Sequence, residues 1–188
     1  MGKKRIDENA FLYPMPMTIV GAMVEKRPNF LAVAWAARVN HRPPMIGVAL
    51  SGGKFTATGI AANGAFSVNV PGADLVEATD WVGTVSGRQV DKSAAFRLFY
   101  GDMPSAPMIE GCPLAMECRL VRTVDLPSNT LFIGEIVAAW CDEEAMTGGA
   151  PDVAKMRPFT LTMPDNGYWS VGERIATAWS AGKDFGKR

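Results

Sequence analysis

The sequence predicts a mainly β domain, an antiparallel barrel carrying a few short helices. Strand-like runs outnumber helical ones along the chain. The helical stretches are brief excursions between strands, which argues against alternating βαβ units. Neither phosphate-binding signature of the parallel α/β folds, GxGxxG or GxxxxGK[ST], occurs, so no Rossmann or P-loop nucleotide site is expected.

The elements follow in order. Thr18 to Val24 is apolar and partly β-branched, as a buried strand would be. Pro28-Asn29 reads as a turn before a strand over Phe30 to Trp35. Pro43-Pro44 forces an extended entry into a strand from Met45 to Ser51. Thr56 to Ala62 reads as a short helix that Asn63-Gly64 ends, both residues tolerating the left-handed conformation of a helix stop. Ala65 to Val70 alternates, with Phe66, Val68 and Val70 on one face, and Pro71-Gly72 closes it. Asp74 is placed to cap a second helix whose Leu75, Ala78 and Val82 share a face. Two long strands come later. Leu114 to Val124 sends Leu114, Met116, Cys118 and Leu120 to one side, and Glu117, Arg119 and Thr123 to the other. Thr130 to Trp140 is apolar on both faces apart from Glu135, which predicts cover on both sides. No internal repeat, low-complexity tract or linker-like shift divides residues 1–188, so one domain is expected.

Composition narrows the function. At 188 residues and 48% hydrophobic, the chain can bury a real core. Its 20% charged fraction is low enough to suggest apolar surface covered by a partner. Nineteen basic residues balance nineteen acidic ones, which removes any electrostatic case for nucleic acid or an anionic membrane surface. No apolar run approaches the roughly 18 residues of a membrane span. The basic start Lys3-Lys4-Arg5 runs into Asp7 and Glu8 instead of an apolar signal region, and Ile6 stands where a myristoylation motif after Gly2 wants Ser or Thr. A soluble, cytoplasmic protein is expected. Cys112, Cys118 and Cys141 contain no CxxC pair and read as reduced, partly buried thiols, with Cys118 in the core. The single histidine, His41, sits in the turn-like His41-Arg42-Pro43-Pro44. A zinc site built from histidines is therefore excluded, hydrolytic catalysis has little to work with beyond His41, and a cofactor is expected to carry any chemistry.

One ordered series of local patterns takes the reading further. Pro14-x-Pro16 precedes the first strand; Asn29 and Trp35 follow, then Pro43-Pro44 leading to Ser51. Next come Thr56 with Ile60, Phe66-Ser67-Val68-Asn69-Val70, Asp91-Lys92, Glu117-Cys118, Leu131-Phe132-Ile133-Gly134-Glu135-Ile136, and Tyr168 before Gly172. Each is common alone. In this order and spacing the series resembles the flavin-reductase-like domain, nearest its flavoredoxin branch, from about residue 11 to about residue 175. The resemblance implies a six-stranded antiparallel Greek-key split barrel, a homodimer, and FMN held near the subunit interface. It also implies electron transfer from NAD(P)H or a protein donor to free flavin, ferric iron or a redox partner.

The resemblance marks cofactor contacts, each with a plainer reading. Trp35 becomes a wall for the isoalloxazine, where otherwise it reads as core. Ser51 and Thr56, at a strand end and a helix start, suit an anion on chemistry alone, though simple capping would also explain them. Lys92 in Asp91-Lys92 becomes an FMN contact, where otherwise it reads as surface. Asn29 lies near the flavin by resemblance, or serves a Pro-Asn turn. Phe159 offers a ring-covering aromatic. Lys54 stands close by and reads as solvated. Two positions depart from the family pattern: Asn129, where many flavoredoxin-like sequences carry a histidine just before the Thr130 strand, and Trp140 at its end, where some ferric-reductase-like relatives have one. Asparagine hydrogen-bonds but does not titrate near neutrality, so the donor and acceptor stay open. Other readings are a flavin carrier, store or sensor without turnover, a pyridoxamine-phosphate-oxidase-like enzyme, a barrel for apolar ligands without flavin, and a Cys112/Cys118 redox pair near the flavin.

Overall fold

The structure is a computed structural model that describes residues 2–187. Its main sheet is antiparallel and built from seven strands: β1 (Thr18–Val24), β2 (Arg27–Val33), β3 (Ala36–Asn40), β4 (Met45–Ser51), β5 (Ala65–Val70), β6 (Leu114–Asp125) and β7 (Asn129–Cys141). Their spatial order is β2-β1-β5-β6-β7-β4-β3. The fourth strand thus lies beside the seventh, and reaches the fifth only through helix α1 (Phe55–Asn63), a Greek-key arrangement. The sheet curls until Leu31 and Val33 from one side share a core with Ile46, Val48 and Leu50 from the other. Val20, Phe66, Val68, Cys118 and Phe132 fill that core, and Ile60 of α1 plugs it. This is the predicted split barrel, with one strand more than six. The addition is Ala36–Asn40, largely exposed and on the sheet edge, where little hydrophobic pattern marks a strand.

Several local expectations are corrected. The turn after the first strand is Glu25-Lys26, both at positive φ (52° and 66°), the two-residue hairpin geometry that matches strand twist. Pro28 and Asn29 lie inside β2 instead. Proline is tolerated there because β2 is an edge strand and the missing N–H removes no sheet bond. The strand also ends at Val33, leaving Trp35 between a bend at Ala34 and the strand that starts at Ala36. Asp74 caps no helix: a short 3₁₀ turn, Ala73–Leu75, precedes α2 (Val76–Thr84), and neither receives a side-chain cap. The outer side of β7 is only partly covered within one chain, with Leu131 and Ile133 half-buried and Val137 exposed.

Glu117 does face away from Cys118 as predicted, yet it is fully buried. Its carboxylate accepts the backbone N–H groups of Gly101, Asp102 and Met103 at 3.0–3.1 Å, which ties the loop before β6 to the barrel. A second small sheet pairs Met15–Pro16 with β8 (Phe159–Thr162), and β8 with β9 (Gly167–Ser170). Cys112, Cys118 and Cys141 are free thiols, the first two buried. Among the described residues, no helix is long and apolar enough to cross a membrane.

Candidate functional site

Two adjoining cavities at one end of the barrel gather six of the seven candidate residues. The first, about 140 Å³, is lined by Asn29, Thr56 and Lys92, the start of α1 and the loop Thr84–Gly87. The second, about 270 Å³, is lined by Trp35, Ser51 and Asn129 against Leu31, Val33, Ala49 and Leu50. Leu31 and Lys54 line both, so the two cavities adjoin across these side chains. No aspartate or glutamate lines either.

The small cavity is built for negative charge. Lys54 occupies the N-cap position of α1 and its side chain provides no cap, so among the described residues the leading N–H groups of the helix have no side-chain partner. Their partial positive charge falls on the cavity. Lys92 sits in a 3₁₀ turn that Asp91 caps by accepting from the Ser93 hydroxyl (2.6 Å) and amide (3.0 Å). Those bonds, the hydroxyl's first, hold the Asp91 carboxyl below its ordinary range and keep it turned to Ser93. Lys92 itself is only 3% exposed. Its Nζ donates to the carbonyl of Val82 near the end of α2, at 2.6 Å. Burial first, and Lys54 second, lower its pKa to about 8. Among the described residues the one ion pair is Arg119–Glu135, on the outer face, so neither lysine is neutralised.

Asn29 and Thr56 are both buried, and Asn29 Nδ2 donates to Thr56 Oγ at 2.7 Å. In the larger cavity Trp35 is 47% exposed and forms an apolar wall. Asn129 stands opposite Ser51 across the β7–β4 pair. In the amide orientation that satisfies both of its ends, Asn129 accepts from the Ser51 N–H (3.1 Å) and donates to Ser128 Oγ (2.8 Å). The polar edge at Ser51 is thus held by a group that does not titrate.

Phe159 lies apart from this cleft. It is buried in the small sheet, edge-to-face with Tyr168 at 5.4 Å, and lines neither cavity. Tyr168 in turn donates to Asp80 of α2 at 2.8 Å. The sequence reading missed the loop Ser86–Arg88, which closes the small cavity: Gly87 lines it, and the Arg88 guanidinium lies 4.8 Å over the Phe55 ring. Lys54, read as solvated, lines both cavities. The sign overlooked was the short polar loop between α2 and Asp91-Lys92.

Known proteins fit this picture. The family model described as "Flavin reductase like domain" matches residues 10–163. Among solved structures, flavoredoxin from Methanosarcina acetivorans is 48% identical, with a TM-score of 0.96 over 98% of this chain and 100% of that one. Flavoredoxin of Desulfovibrio vulgaris (Miyazaki F) is 34% identical, with a TM-score of 0.90 over 97% of this chain and 100% of that one. An FMN-binding protein from Thermus thermophilus, solved with 1-cyclohex-2-enone, is 25% identical, with a TM-score of 0.77 over 94% and 97% of the two chains. With the family match covering most of the chain and the barrel and its cleft in place, the protein belongs to the flavin reductase like family.

Proposed function

We propose that the chain is an FMN-dependent oxidoreductase that relays electrons from NAD(P)H or a protein donor to free flavin, ferric iron or a redox partner. One observation carries the reading: two lysines without carboxylate partners among the described residues face a cavity at a helix start, next to an apolar cleft walled by Trp35. A flavin mononucleotide has this polarity, a dianionic phosphate at one end and a flat apolar ring at the other. The similarity to the two flavoredoxins and to the Thermus FMN-binding protein supports FMN as the flavin.

The residues divide the work. Thr56, Lys54, Lys92 and the α1 N–H groups would hold the phosphate, with Asn29 behind them. Ser51 and Asn129 would meet polar groups between phosphate and ring, and Trp35 would cover one ring face. Leu31, Val33, Ala49 and Leu50 keep water from that face. The hydride and single-electron chemistry would come from the bound FMN. A homodimer operating in the cytoplasm completes the proposal, its interface on the outer face of β3, β4 and β7, where Val39, Met45, Leu131 and Ile133 leave apolar surface.

A second reading, an FMN-binding carrier, store or sensor without turnover, is favoured by one feature. The cleft lining offers no titratable group except Lys54 and Lys92, hence no carboxylate, imidazole or thiol beside Trp35. The purified protein should show a two-band yellow spectrum, and heat should release a molecule of FMN mass. Steady-state NADH and NADPH oxidation with excess FMN or ferric chelate then separates the readings. Turnover supports the enzyme; bound flavin without turnover from any donor supports the carrier. A colourless protein that takes up no FMN on titration rejects both.

A further inference from the structure

We infer that Asn29 is a positioning residue: it fixes the Thr56 hydroxyl as a hydrogen-bond donor aimed into the anion cavity, and Gly87 must be glycine to leave Asn29 its place. The inference rests on the FMN reading of the same cleft.

Each threonine hydroxyl has one proton to donate. Thr58, in the same helix, donates to the Phe55 carbonyl at 2.7 Å. Thr79, in α2, donates to the Leu75 carbonyl at 2.8 Å. Both spend their proton on the backbone, the common habit of threonine in helices. Thr56 differs. It is 1% exposed, and its Oγ has one hydrogen-bond partner among the described residues, Asn29 Nδ2, which gives a proton and takes none. The Thr56 proton is therefore uncommitted within the chain, in a buried side chain lining a 140 Å³ cavity with Lys54 and Lys92. A buried hydroxyl that accepts from one side and faces an anion site on the other is set to donate to the anion. Accepting from Asn29 also strengthens the outgoing bond, because linked hydrogen bonds polarise one another.

Asn29 is held in turn. It is 3% exposed and lies two residues after Arg27 on β2, so both side chains leave the same face of the strand. Arg27 Nη2 donates to the Gly87 carbonyl at 3.0 Å and pins the loop against that face. A Cβ on Gly87 would stand 1.9 Å from Asn29 Oδ1 and 3.0 Å from Phe55 Cδ1. No side chain fits at 87 without displacing the asparagine amide. The loop after α2 thus sets the direction of a hydroxyl on α1, through one strand residue.

A double-mutant cycle on FMN affinity tests this, with the apoprotein melting midpoint recorded for every variant. Asn29→Leu should weaken FMN about tenfold when residue 56 is threonine, the scale of one buried hydrogen bond. In a Thr56→Val background, which keeps the shape and removes the hydroxyl, Asn29→Leu should add less than about a twofold change. Thr56→Ser should retain affinity near that of the parent chain. Gly87→Ala should reproduce the Asn29→Leu loss and the same dependence on Thr56, and it decides the matter if Asn29→Leu does not fold. Equal losses in both backgrounds would mean that Asn29 touches the ligand itself or serves only the fold, and would overturn the inference while leaving the FMN reading intact. Absence of FMN binding by the parent chain would instead overturn the FMN reading, and the inference with it.

Discussion

Lys92 concentrates the electrostatics of the cleft in one side chain. Among the described residues its ammonium has a single carbonyl partner, and burial lowers its pKa from 10.5 to about 8. The folded pKa lies below the unfolded one, so the unfolded chain binds more protons between about pH 8 and 10.5. This residue therefore makes stability rise with pH across that window, and its full cost is present below pH 8. Lys92→Met should flatten that rise, as read from apoprotein melting midpoints between pH 7 and 10.5. A bound phosphate reverses the balance by favouring the charged lysine. FMN binding near pH 9 should then take up protons, and affinity should fall as pH climbs past 8. Calorimetry in two buffers of different ionisation heat measures the uptake, and Lys92→Met should abolish it. Sequence reasoning reached Lys92 only through the family pattern, since alone it reads as surface, and left Thr56 between an anion contact and a simple cap until the pattern was used. It could not reach Gly87, whose importance lies in the 1.9 Å left beside a residue 58 positions away in the chain.

Helix α1 delivers Thr56, and its seat on the barrel depends on Gly59. A Cβ there would approach the Met23 carbonyl oxygen to 2.3 Å and Val24 Cγ2 to 2.6 Å, so the helix lies directly on the β1 backbone. Alanine favours an isolated helix by about 1 kcal/mol. Overpacking costs about 1–3 kcal/mol, and here the obstacle is backbone. Gly59→Ala should accordingly lower stability in urea denaturation and weaken FMN retention together, because the anion site moves with the helix. Glu117 offers the contrast of an element fixed away from the cleft. Glu117→Gln replaces an acceptor oxygen by a donor facing the N–H groups of residues 101–103, at a cost on the order of 2–3 kcal/mol. Its urea midpoint should fall while flavin content per folded protein stays unchanged. Apolar runs made β1, β4, β5, β6 and β7 readable in the sequence, as the Asn63-Gly64 stop did for α1. The Glu25-Lys26 turn was not readable, because two charged residues at positive φ give no glycine or asparagine signal. The exposed edge strand Ala36–Asn40 shows too little alternation to be found.

At the scale of the molecule, the barrel interior is closed by its own strands, whereas the outer face of β3, β4 and β7 is left partly apolar. Val39 is 47% exposed there, with Leu131 and Ile133 half-buried beside it. A patch of this kind on a chain with few charges fits an interface between two copies. Sedimentation should give a mass near twice the 20.2 kDa chain. Ile133→Asp should shift the protein toward monomer without removing its β-sheet signal, as circular dichroism would record. A parent chain that sediments as a monomer at micromolar concentration would remove the dimer from the proposal. The overall class was legible because strand runs and missing phosphate-loop motifs constrain the fold from opposite directions. The gathering of Asn29, Trp35, Ser51, Thr56, Lys92 and Asn129 at one end was not legible from periodicity. It arises from the two non-sequential pairings of the sheet, the first strand beside the fifth and the fourth beside the seventh, which bring segments far apart in the chain together.

On the proposed reading, the lysine-lined cavity receives the phosphate of a flavin whose ring lies against Trp35. Titrating the apoprotein with FMN and with riboflavin, which lacks the phosphate, tests it most directly. FMN should bind at least about tenfold more tightly, as charge-assisted hydrogen bonds to the phosphate require, and Lys92→Ala together with Thr56→Ala should erase most of that preference. Equal affinity for the two flavins in the parent chain, or a preference unchanged in the double variant, would contradict the account.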